Sequence, residues 1–288
     1  MHARATLATE QVLDRHGHVA SRVCVLRSHA PLVLRPTLPK GIEPGVDQAA
    51  DVARVALASG AAGPLGGDEF ALDVRVGAGS TLVLNEISAT LLLPGARGGC
   101  SHMRITVHVE ADATLVWMPE PVIAARGCDH VHDIRVELAP SARFLMRDEL
   151  LLGRHREPPG DLLQNLRVRR GGRALFHQQL RLGPSARGWR SPAVLGANKC
   201  VGTVLAVDPA WANDVPGVNL FARDAALLPL QGPAAMVSAL AADSLALRRT
   251  LHRGIALLGA RWAPAAASAG AACDAAVTGV DSSLVTVS

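Results

Sequence analysis

Aromatic residues make up only 3% of this 288-residue chain and tyrosine is absent, so the core cannot rest on large rings. Lysine is nearly missing. Lys40 and Lys199 are the only two, and arginine carries almost all of the positive charge. The five cysteines (Cys24, Cys100, Cys128, Cys200 and Cys273) are scattered, odd in number and show no CxxC spacing. That argues against a secreted disulfide framework. No uninterrupted apolar run is long enough to span a bilayer. The first residues include Glu10 and Asp14 and lack the apolar centre of a signal peptide. A cytoplasmic protein is expected. A net charge of +4 gives no whole-chain nucleic-acid footprint. Nucleophile elbow, HExxH and triad-like groupings are all missing, so enzyme chemistry has little support.

What is present is aliphatic: 49% of residues are hydrophobic, enough for a sizeable core of Leu, Val and Ala. The organising stretch runs from Ala61 to Leu84. It opens with the turn Gly63-Pro64-Leu65-Gly66-Gly67 and reaches two acids, Asp68 and Glu69. Phe70, Leu72, Val74 and Val76 then alternate with Asp73 and Arg75, the pattern of a half-buried strand. After Gly77-Ala78-Gly79-Ser80, a returning strand is expected over Thr81 to Leu84. The form recurs at Val107 to Trp117, at Val136 to Met146 and, more loosely, at Val168 to Phe176. A leading-valine spacing of roughly 30 residues lies in the range of stacked repeat units. One hairpin cannot bury its apolar face alone, whereas stacked hairpins share a core. The fold class is therefore mainly β, with stacked or wrapped β-hairpins forming a β-helix-like body. An ordinary β-sandwich is the competing architecture.

Residues 1–15 read as a flexible lead-in, 16–262 as a single β-rich domain, and 263–288 as an Ala/Gly/Ser-rich flexible tail. One helix is expected over 234–258, on an apolar stripe of Val237, Leu240, Ala241, Leu245, Leu251, Ile255 and Leu258. Gly259 is placed to end it. The stretch from Arg143 to Arg190 carries many more arginines than acids, and a basic surface there would suit an acidic protein partner.

Three groupings carry candidate chemistry. The turn Gly66-Gly67-Asp68 lacks the Lys-Ser/Thr of a P-loop, so it reads as a structural turn that presents Asp68 and Glu69. Cys128, His130 and His132 share one strand face with Ile134, Val136 and Leu138. Thiolate and imidazole suit zinc or nickel, although a closed site would need further ligands. Cys100 and His102 are possible additions, but His102 shares its parity with the polar Arg104, Thr106 and His108. The acids Asp68, Glu69, Asp148 and Glu149 are the third grouping, a carboxylate pair if the fold brings two together.

Taken in order, several landmarks resemble the D-type urease accessory proteins (UreD, called UreH in some bacteria). They are Pro31-Leu32-Val33-Leu34-Arg35-Pro36, the Gly63 to Asp68 turn, and Leu115 through Pro119-Glu120-Pro121 to Ile123. Glu149 with Gly153-Arg154, and then Leu245 to Arg249, complete the series, which covers roughly residues 15 to 260. Where that family has a polar run after the first repeat, Glu86-Ile87-Ser88-Ala89-Thr90 keeps only part of it. The resemblance implies a non-enzymatic scaffold for metallocentre assembly. Its implied partners are the urease apoprotein, a helical F-type accessory protein and, through the complex, a G-type GTPase. No cofactor would be bound stably, and nickel would pass in transit. Gly66, Gly67, Asp68, Glu69, Glu149 and Arg154 are the partner or metal-path candidates, with His130 and His132 beside them. A metallochaperone binding nickel or zinc directly at Cys128, His130 and His132, and a β-solenoid enzyme, are the alternatives.

Overall fold

The computed structural model describes residues 1–39, 41, 43–47 and 50–262. One sheet has seven strands in the order β14-β13-β11-β8-β5-β1-β2. These are β1 (His2–Leu13), β2 (Val19–Arg27), β5 (Glu69–Val76), β8 (Ser101–Val109), β11 (Asp129–Leu138), β13 (Asp161–Arg170) and β14 (Arg173–Leu182). The facing sheet contains β3 (Leu32–Pro36), β4 (Ala53–Ser59), β6 (Thr81–Glu86), β9 (Thr114–Met118) and β12 (Arg143–Leu152). It continues through β15 (Cys200–Val207), β16 (Asn219–Ala222), β17 (Ala225–Pro229) and β18 (Ala234–Ala241). Short β7 (Thr90–Leu92) and β10 (Val122–Ala124) pair with each other, and β10 joins the facing sheet through β12.

The chain winds as a β-solenoid-like stacked coil, as the repeats imply, but the repeating unit is not a hairpin. In the first three copies the two strands lie in opposite sheets. Equivalent strands of successive copies pair in parallel, β5 to β8 to β11 on one side and β6 to β9 to β12 on the other. The small-residue turn is thus a corner between sheets. Only the fourth copy, β13 with β14, is a true antiparallel hairpin, and it closes one edge. The four leading valines are nonetheless in register: Val74 pairs with Val107, Val107 with Val136 and Val136 with Val168. Leu7 extends the ladder on β1. All five are buried in one core with Leu115, Phe144 and Met146 from the facing sheet.

Two expectations are corrected. Residues 1–15 are not a flexible lead-in. The segment His2 to Thr9 pairs in parallel with Glu69 to Val76 and turns Ala3, Ala5 and Leu7 into the core. Small alanines make that alternation faint in the sequence. The helix does not begin at residue 234 either. Ala234–Ala241 is a central strand between β15 and β17, and α1 spans Ser244–Ala256. An alanine-rich window favours helix locally, but sheet pairing and the burial of Ala235, Val237, Ala239 and Ala241 along one face override that preference. Asp243 sets the true start by accepting from the Ala246 N–H at 2.8 Å. The helix buries Leu247, Leu251, Gly254 and Ile255 against the outer side of the facing sheet. A methyl group on Gly202 of β15 would fall 2.6 Å from Leu251, so that glycine permits the close approach. The expected tail, 263–288, lies outside the described residues.

Candidate functional site: a polar layer inside the solenoid

One inward step beyond the aliphatic levels, the interior changes character. On β11, His130 and His132 lie between Cys128 and Ile134; on β13, Gln164 lies between Leu162 and Leu166. On β12, Asp148 lies between Met146 and Leu150, all facing inward. Registers bring these groups to one layer. His132 pairs with Gln164 across the first sheet, and Asp148 with Thr203 across the second. The layer is tied across the interior by the Gln164 amide, which donates to the Asp148 carboxylate at 2.8 Å. Glu86 reaches the same level on β6. It follows Leu84 as Asp148 follows Met146, and Leu84 and Met146 both pair with Trp117.

The layer is incompletely satisfied. His130 Nδ1 lies 2.8 Å from the Ser101 hydroxyl, but its Nε2 is buried without a partner. So are His132 Nδ1 and Glu86 Oε2. Each such atom costs about 1–3 kcal/mol when left unmade. Glu86, His130 and His132 also line a cavity of about 320 Å³ whose other walls are mostly Leu, Ala, Phe70, Met103 and Ile105. Burial dominates the electrostatics. It pushes the Glu86 carboxyl up to about 8, helped by the nearby Glu120 charge. It pushes Asp148 up to about 6, against the Gln164 hydrogen bond. The His132 imidazole is pushed down to about 4 and His130 is lowered as well, so both rings are neutral and their nitrogen lone pairs can meet a metal ion.

On the other side of the same sheet lies a charged network. The Glu149 carboxylate is fully buried between Arg147, whose Nε is 2.8 Å away but not aimed for a hydrogen bond, and Arg248, whose Nε donates at 3.0 Å. Arg248 also donates to Glu120 at 2.9 Å, and Arg147 reaches the Pro119 carbonyl and His252. This network borders a second cavity of about 360 Å³, lined by Glu43, Asn85, Glu86, Glu120, Arg147 and His252 among others. Glu86 lines both cavities. Successive residues Asp148 and Glu149 therefore face opposite sides of one strand, and they do not form a carboxylate pair.

A sequence model described as UreD urease accessory protein matches residues 2–272. The chain belongs to the UreD family. It is 41% identical over 236 residues to urease accessory protein UreD 2 of Saccharopolyspora erythraea, covering 80% of each chain. It is 39% identical over 261 residues to urease accessory protein UreD of Streptomyces avermitilis, covering 90% of this chain and 100% of that one. A UreD of Frankia alni is 41% identical over 264 residues, covering 83% and 88%. Membership makes the chain an accessory factor of urease maturation and not a catalyst. No helix among the described residues is long and apolar enough to cross a membrane.

The family-marking turn of this UreD chain is built for backbone contact. A methyl group on Gly66 would fall 2.6 Å from the Gly95 nitrogen, and Gly67 holds φ at +88°. Asp68 is buried and closes the turn by accepting from the Leu65 N–H at 2.9 Å and the Met1 amine at 2.7 Å. Glu69 points to the outer face, 3.3 Å from His2. Arg154 is exposed and doubly bonded to Glu157 at 2.6 and 2.8 Å. Of the residues singled out from the sequence, His130, His132 and Asp148 stand in the polar layer, and Glu149 stands behind it. Cys128 does not join them, because it packs with Leu150, Leu152, Leu162 and Leu182. Burial pushes its thiol up to about 12. The two imidazoles are 5.8 Å apart, His102 faces outward, and among the described residues no three His, Cys, Asp or Glu side chains converge to hold a metal. Gln164 and Thr203 carry no site motif in the sequence, and Glu86 enters it only at the head of the polar run Glu86 to Thr90. For Gln164, the available signal was a polar residue at an inward parity, between Leu162 and Leu166.

Proposed function

We propose that this UreD chain is a maturation scaffold that binds apo-urease and the F-type and GTPase accessory proteins, and that nickel passes through its polar layer on the way to the urease active site. The carrying observation is Glu86, whose buried, unpartnered oxygen belongs to a residue shared by the interior cavity and the helix-side cavity. Neutral imidazoles and carboxylates are groups that nickel accepts. They are strung along the interior rather than gathered at one point, which suits passage better than storage. The helix-side network supplies fixed charges whose mutual pairing keeps them ionised while buried.

The test is co-expression of the tagged chain with its own organism's urease subunits and the F-type and GTPase proteins, followed by affinity purification and metal analysis. With the native chain, urease and the F-type protein are retained and the urease contains nickel. With Glu86→Gln, the partners are still retained and the nickel content falls severalfold. Retention with unchanged nickel would remove Glu86 from the route. Failure of the native chain to retain either partner would remove the scaffold role.

A further inference from the structure

The arginine-rich stretch from Arg143 to Arg190 is sorted by the fold. Arg147 is buried against Glu149, Arg154 is held by Glu157, Arg167 reaches Asp133 and Arg169 pairs with Glu137. Arg170 donates to the Pro140 carbonyl. Two of the remaining cations, Arg156 and Arg190, meet Lys199 around a cavity of about 490 Å³. No carboxylate of the described residues lies within ion-pair distance of these three. Glu157 also lines the cavity, but its carboxylate is engaged by Arg154.

The remaining walls are not those of a simple anion hole. Trp189 lies beneath Arg190, whose guanidinium carbon is 4.7 Å from the ring centroid, and Leu152, Pro158 and Pro159 add apolar surface. Arg156 is, with Asp112, one of two non-glycine residues among the described residues held at positive φ, at 57°. That conformation costs about 1–2 kcal/mol and gathers at binding sites. Three unpaired cations in one concavity repel each other, so a ligand bearing several negative charges relieves the arrangement. The volume is in the range of pockets that take extended organic ligands and far exceeds a lone ion. Alternating cationic and apolar walls match a chain that alternates carboxylates with aliphatic groups.

We propose that this cavity receives an acidic peptide segment of a partner protein, with Arg156, Arg190 and Lys199 meeting its carboxylates and Trp189 its apolar stem. The test titrates the whole chain with a fluorescein-labelled Asp-Glu-Leu-Asp-Glu peptide, read by fluorescence anisotropy at low ionic strength. The amide counterpart Asn-Gln-Leu-Asn-Gln and citrate are run alongside. The acidic peptide is expected to bind with a Kd of order 10⁻⁵ M and to weaken as salt rises, while the amide peptide does not bind. Lys199→Glu and Arg190→Glu should each weaken it about tenfold or more, with circular dichroism melts confirming that the variants fold. Arg104→Glu, on the outer face of the seven-stranded sheet, should leave binding unchanged. An equal loss in Arg104→Glu would reveal a diffuse charge effect and overturn the assignment. So would binding of the amide peptide, unchanged affinity in both cavity variants, or binding of citrate but not of the peptide.

Discussion

The same three strands, β11, β12 and β13, build two different interiors. At one level Val136, Val168 and Phe144 are sealed in an apolar core with no polar atom to satisfy. A few residues towards the start of β11 and β13, and towards the end of β12, His132, Gln164 and Asp148 occupy equivalent inward positions beside Glu86 and a cavity. The apolar level is what folding requires. The polar level carries three orphaned atoms that Leu or Met would not have. A fold that accepts that cost where aliphatic packing was available points to a role for the layer beyond stability.

The difference is sharpest if each level is broken in turn. Phe144→Ala empties a fully buried position of the apolar level and should cost about 3–5 kcal/mol in urea unfolding. Glu149→Gln, behind the polar level, strands Arg147 without its carboxylate and should cost about 3 kcal/mol by the same measurement. At the polar level itself, Glu86→Gln should act mainly through pH. The folded carboxyl titrates near 8 instead of 4.5 because burial disfavours its charge. The stability that its protonated form contributes is complete below about pH 4.5 and is lost as pH rises towards 8. The native chain should therefore lose ground to Glu86→Gln across that window, by at most about 1.4 kcal/mol per pH unit, and level off above it. His132 has the opposite sign. Its pKa falls to about 4, so its contribution is lost as pH drops from 6.5 towards 4. Taking the difference between the two proteins at each pH cancels that effect, and a difference flat in pH would place Glu86 in contact with water.

Much of the apolar level was legible in the sequence. The valines that mark each repeat are the residues that stack, and the inward parity of His130 and His132 follows from alternation alone. The sheet swap at each corner was not legible, because a small-residue turn looks the same whether the chain folds back or turns aside. Nor was the polar layer. Glu86, His132, Asp148 and Gln164 come from four strands, and only the registers place them together. The family-marking motifs misdirect in an instructive way. Gly66, Gly67 and Asp68 form a turn whose backbone contacts leave little freedom for substitution, so a motif that identifies the chain need not lie in the interior route.

Arg154 provides the mildest test of that last point. It stands in the motif after β12, one residue beyond Gly153, and its guanidinium is exposed with Glu157 as its only acidic partner among the described residues. An exposed pair of this kind adds little to stability because water and salt screen it. Arg154→Ala should leave the unfolding midpoint unchanged within error, in contrast to Glu149→Gln five residues earlier. The informative readout is retention of partners in the co-purification. A loss there with no change in midpoint would place Arg154 on a docking surface, separating the outside of the scaffold from its polar interior. Unchanged retention would leave the Arg154–Glu157 pair as a local fastener of the loop.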